Sequence, residues 1–175
     1  MRFEISEAEQ KKAKHPHEIF LLNLITNHIL VFVALLGMAT TYPQLLLIIP
    51  IISAGALGYI LYQASQSTRR GDSWFVMCNW KIAAQRSKFF LIMIGLMVVV
   101  LVGAMVAIEV LEAPFVMVAA IGGVGVLPVM LAVLALIMME SDALYQVRHG
   151  SMSKSMVERF PPPPEYRVID EPEQS

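Results

Sequence analysis

The stretch from Ile19 to Thr68 decides the fold: IFLLNLITNHILVFVALLGMATTYPQLLLIIPIISAGALGYILYQASQST, fifty residues without an Asp, Glu, Lys or Arg. One bilayer crossing takes about 20 apolar residues. The stretch therefore holds two helices and a tight turn. Thr40-Thr41-Tyr42-Pro43 marks that turn, because proline fits the first turn of a following helix, where its missing N–H would be unpaired anyway. A second block, Phe89 to Met139, runs fifty-one residues with only Glu109 and Glu112 charged, and Glu112-Ala113-Pro114 marks its turn. The expected fold is an all-α integral membrane protein with four transmembrane helices as two hairpins. The spans are placed at about 19–41, 43–65, 89–111 and 114–139.

Composition agrees with this reading. Of 175 residues, 57% are hydrophobic and only 15% charged, against a usual charged share of about 25%. A disordered chain, a collagen-like repeat and an ordinary soluble enzyme domain are excluded. A net charge of −1 provides no global basic field, so no nucleic-acid partner is expected. The single cysteine, Cys78, excludes a disulfide framework and a Cys-rich metal site within one chain.

All thirteen Lys and Arg lie outside the two blocks. They fall in 1–18 (Arg2, Lys11, Lys12, Lys14), 69–88 (Arg69, Arg70, Lys81, Arg86, Lys88) and 148–167 (Arg148, Lys154, Arg159, Arg167). The positive-inside rule then puts both termini and the 66–88 connection in the cytoplasm, with membrane lipid around the spans. A bacterial inner membrane is the expected location. The first apolar segment is too long for the h-region of a cleaved signal peptide. The chain divides into a cytoplasmic segment 1–18, a transmembrane domain 19–139, a helical extension 140–160 and a Pro-rich acidic tail 161–175.

The cytoplasmic parts carry their own signals. Ser6-Glu7-Ala8-Glu9 fits a capping box for a short helix ending near Lys14, before Pro16. Asp72 or Ser73 caps a helix running through Trp74 and Trp80 into the third span; both indoles are expected at the headgroup level. Helix four continues past Glu140 to Gly150, a natural C-cap. Met152, Met156, Val157 and Phe160 then recur at near-helical spacing. Pro161-Pro162-Pro163-Pro164-Glu165-Tyr166 reads as extended polyproline II, followed by an acidic, polar end that is disordered unless bound. Pro163-Pro164-Glu165-Tyr166 resembles the PPxY ligands of WW domains, with a stiff spacer as the plainer reading. Met152, Met156, Phe160, Pro163, Pro164 and Tyr166 are the candidate docking residues, for a partner or for the chain's own cytoplasmic helices.

Inside the membrane, Asn23, Thr26, Asn27, Leu30, Ala34, Gly37 and Thr41 fall on one stripe at α-helical spacing. That stripe suits interhelical hydrogen bonding or a polar conduit. His28 falls off it. An intramembrane imidazole is a functional hypothesis by default: a proton or quinone site, a haem ligand needing a second axial partner, or a satisfied structural ring. Glu109 could attract cations to an outer mouth. Gly122, Gly123, Gly125 and Pro128 suit close packing or a break at midplane. The methionines read as apolar core rather than a copper site. No catalytic constellation, metal-ligand spacing or cofactor motif is evident, so none is expected.

The expected function is a small accessory, assembly or scaffold subunit that binds a larger membrane or cytoplasmic protein. The alternatives are a homo-oligomeric channel or transporter and a haem- or quinone-binding redox subunit.

Overall fold

The computed structural model describes the backbone of residues 1–38, 41–110, 112 and 114–170. Side chains at 36, 43, 44, 101, 104, 105, 107–109, 115–122, 124, 126 and 170 lie outside the description. The chain is mostly helical. The elements are β1 (Arg2–Phe3), α1 (Glu7–Leu22), a π-helix (Asn23–Val31), α2 (Phe32–Leu36), a 3-10 turn (Pro43–Leu47), α3 (Ile48–Gln66), α4 (Trp74–Glu109), α5 (Phe115–Arg148), α6 (Lys154–Arg159) and β2 (Val168–Asp170). Among the described residues four helices are long and apolar enough to cross a membrane: Glu7–Leu35, Leu45–Gln66, Trp74–Val100 and Leu127–Arg148.

The first of these begins further back than the sequence suggested. Ser6 caps α1 by accepting from the Glu9 N–H at 3.3 Å. The helix then passes through Pro16 instead of stopping before it. An interior proline removes one helical hydrogen bond and costs about 3 kcal/mol or more. Two features offset this. The carbonyl left without a donor is that of Lys12, an exposed residue within reach of water, and Pro16, His17 and Phe20 are buried. Tertiary packing of α1 on α4 and α5 overrides the local signal.

At about 1.5 Å per residue, the 36 residues of α4 and the 34 of α5 each exceed the hydrocarbon thickness of a bilayer, about 30 Å. α4 packs against α1, α3 and α5, and the π-helix packs against α3 and α5. The buried core sits in the half of the bundle nearer the chain termini, around Phe20, Leu24, Leu57, Ile60, Phe75, Phe90, Leu136 and Val147. Around it, Leu22, Ile51, Ile92, Val99, Leu131 and Met138 are exposed. A belt of this kind suits contact with lipid tails. Gly125 lets α5 approach α4: a Cβ there would lie 2.5 Å from Val100 Cγ1.

A small sheet closes the terminal end. β1 pairs antiparallel with β2, with Arg2 opposite Asp170 and Phe3 opposite Val168. On its other edge, the Phe3 N–H donates to Gly150 O at 2.9 Å and the Met152 N–H to Met1 O at 2.9 Å. The segment 168–170, expected to be irregular, thus has backbone partners. α5 ends as a Schellman motif: Gly150 has φ 63° and the Ser151 N–H reaches back to Gln146 O at 2.8 Å. Only glycine fits at 150, since a Cβ would collide with the Phe3 carbonyl.

Candidate functional site

The structure gathers polar and aromatic side chains at three levels along the bundle. The deepest lies where the π-helix faces α3. Asn27 Nδ2 donates to the Ile49 carbonyl at 2.8 Å and to Ser53 Oγ at 3.0 Å. Ser53 Oγ donates to Asn23 Oδ1 at 3.1 Å. The hydroxyl has a single proton, so its contact with His28 Nε2 at 2.5 Å requires the imidazole to donate there. His28 also meets Phe90 edge-on, with centroids 4.9 Å apart.

This arrangement differs from the α-helical stripe. A π-helix bonds i to i+5, which brings His28 onto the face of Asn23, five residues earlier. The same change of pitch leaves Thr26 and Leu30 exposed. Ser53, absent from the sequence-derived candidates, is the residue all three polar side chains share. Of the other candidates within the spans, Gly123 and Pro128 are exposed on α5, and Gly122 and the Glu109 side chain lie outside the described residues.

The second level joins α1, α4 and α5. His17 Nδ1 and Glu140 Oε2 are 2.6 Å apart, and both side chains are fully buried. Glu140 Oε1 accepts from Arg86 Nη1 at 3.0 Å, and the same nitrogen donates to the Met139 carbonyl at 3.0 Å. His17 Nε2 faces Asn79 Oδ1 at 3.1 Å. Asn79 Nδ2 is held by the Phe75 carbonyl at 2.8 Å, which fixes the amide oxygen toward the ring. Both imidazole nitrogens therefore meet oxygen acceptors. None of these four residues, His17, Asn79, Arg86 and Glu140, is among the sequence-derived candidates. The cluster's one local signal is the position of Arg86, His17 and Glu140, each within a few residues of an end of the two apolar blocks.

The third level is an aromatic cap at the terminal end. Trp74 packs edge-on against Phe3 and Tyr166, at centroid distances of 5.0 Å each. Its indole N–H donates to the Phe160 carbonyl at 2.7 Å. Trp80 packs against Tyr59 and His15. Both indoles, expected at the headgroup level, are buried among protein groups.

The tail residues serve the same cap. Met152 and Met156 are buried in the chain's own core. The Phe160 ring lies under Lys81 Nζ at 3.8 Å. The Tyr166 N–H donates to Pro163 O at 3.1 Å. This bond bends Pro163-Pro164-Glu165-Tyr166 into a β-turn, in place of extended polyproline II. Proline at the second position of such a turn has the φ it needs. Glu9 Oε1 accepts from the Tyr166 hydroxyl at 2.6 Å and from Ser73 Oγ at 2.5 Å. Glu9 thus ties the tail and the start of α4 to α1, instead of completing the capping box.

Burial, and then the bond to Glu9, push the Tyr166 phenol up to about 12. A raised folded-state value favours the neutral phenol. The resulting stabilisation is complete below the unfolded value of about 10 and is lost as pH rises toward about 12. The cap is expected to stay closed at neutral pH and loosen in that alkaline window. Tryptophan emission against pH, compared with Tyr166→Phe, checks this; a wild-type transition absent or identical in the variant contradicts it.

Among the described residues no group of three or more His, Cys, Asp and Glu side chains could hold a metal ion. Compared with protein-family models, curated proteins and solved structures, the chain matches none.

Proposed function

We propose that the chain is a small four-span accessory, assembly or scaffold subunit of a bacterial inner membrane, with both termini in the cytoplasm. Its partner is a larger membrane or cytoplasmic protein. The orientation rests on the one-sided Lys and Arg distribution. The observation that carries the functional reading is the cap. Residues 1–4, 150–160 and 166–170 are built into one folded surface at the end of the bundle. That surface exposes Arg2, Arg148, Lys154, Arg159 and Arg167 beside Glu4, Glu158 and Glu165. Charges of both signs on a rigid platform give orientation and partner choice. The docking element in this reading is the folded cap, because Tyr166, the aromatic anchor of the linear tail motif, is packed against Phe3 and Trp74 of its own chain, while Pro164 and Glu165 are exposed on the cap.

Affinity capture from native membranes tests it. The full chain is expected to recover a reproducible partner. The double reversal Lys154→Glu and Arg159→Glu, both on exposed positions, is expected to reduce recovery while leaving folding unchanged. Equal recovery by wild type, this variant and a chain truncated after Phe160 would overturn the reading.

A second reading draws on the π-helix. Such segments are frequent at functional sites. One with an imidazole inside an apolar span favours a channel or transporter, or a redox subunit that holds quinone or haem through His28.

A further inference from the structure

Two amide atoms in the deepest cluster are left over once every visible bond has been made. Asn23 is 7% exposed and Asn27 3%. Among the described residues Asn23 Nδ2 and Asn27 Oδ1 meet no hydrogen-bonding partner. Rotating either amide does not cure this. Turning Asn27 over would set its oxygen against the Ile49 carbonyl, now bonded at 2.8 Å. Turning Asn23 over would remove the acceptor of the Ser53 proton and set two amide nitrogens against each other. Ser53 cannot help, because its proton goes to Asn23 and its lone pairs face Asn27 and His28. An orphan donor and an orphan acceptor therefore stand on neighbouring amides. Each such buried group is destabilising unless something pairs with it.

We infer that the Asn23–Asn27–Ser53–His28 cluster binds a hydroxyl group from outside the chain, which accepts from Asn23 Nδ2 and donates to Asn27 Oδ1. The chemistry is specific. A carbonyl would satisfy Asn23 alone and an ammonium Asn27 alone, whereas one O–H satisfies both. Two sources can bring a hydroxyl to this depth: an internal water, or the headgroup of a membrane-dissolved quinol. The cluster is then a loaded site and not only a helix clasp. This inference stands independently of the cap-docking reading.

The chain has only three asparagines, Asn23, Asn27 and Asn79. Selective asparagine side-chain ¹⁵N labelling therefore yields three amide signals, assigned by loss in Asn23→Leu and in Asn79→Ser. The experiment uses the full chain in quinone-free phosphatidylcholine nanodiscs, with and without a short-chain ubiquinol. A water cross-peak on the Asn23 amide that survives ubiquinol identifies the hydroxyl as water. A saturable shift of that signal with ubiquinol, while Asn79 stays unmoved, identifies it as a quinol. An Asn23 amide with neither a water cross-peak nor a ubiquinol-dependent shift overturns the inference. All readings come from wild-type protein, so a poorly folding variant removes only an assignment, which Asn23→Ser can supply instead.

Discussion

Glu140→Ala is expected to destabilise the protein by about 3–5 kcal/mol, the range for removing one partner of a buried ion pair. The carboxylate is fully buried and bonds two partners, the His17 imidazole at 2.6 Å and the Arg86 guanidinium at 3.0 Å. Without it, His17 keeps one ring nitrogen facing Asn79 and has nothing for the other. Arg86 is partly exposed and can turn toward water, so most of the loss falls on His17. A second arm separates charge from packing. Replacing His17 and Glu140 together by leucine leaves no orphan imidazole and is expected to recover much of the loss, because apolar pairs often replace buried ion pairs at little cost. Denaturant unfolding in detergent micelles measures both. An additive double variant would mean that the two residues are not coupled.

Trp74→Ala is the second large effect, about 3–5 kcal/mol for truncating a buried tryptophan. Its mark is local. Trp74 touches Phe3 and Tyr166 and bonds Phe160, so its loss releases β1, β2 and the end of α6 together. The spans need not open. Amide exchange at Phe3 and Met152, whose N–H groups bond Gly150 and Met1, is expected to accelerate by about a hundredfold or more, at about 1.4 kcal/mol per tenfold. Exchange in the middle of α3 is expected to stay as it was. Uniform acceleration along the chain would show that the cap is not a separate unit.

These predictions come from long-range contacts, which is where the sequence was least informative. The four apolar helices were legible because lipid imposes a length and a composition that no local exception obscures. The Schellman end at Gly150 was legible because the backbone there permits only glycine. His17 and Glu140 were not, being 123 residues apart; an ordinary periodicity scan does not pair them. Pro16 misled, since the packing of α1 outweighs the missing donor. His28 was assigned to the wrong face because the stripe assumed α-helical pitch, and a π-helix carries no clear sequence signature. The tail motif was recognised for its aromatic anchor. The groove it fills belongs to its own chain, formed by Phe3 and Trp74, neither of them near it in sequence.

In the proposed orientation the cap and both termini lie on the cytoplasmic face of a four-span bundle. Single cysteines introduced into a Cys78→Ser background, labelled from one side of sealed membranes at a time, test this most directly. Arg70→Cys and Val168→Cys are expected to label only from the cytoplasmic side, and Ala113→Cys only from the opposite side. Outside labelling at position 70 or 168, or inside labelling at 113, would contradict the orientation.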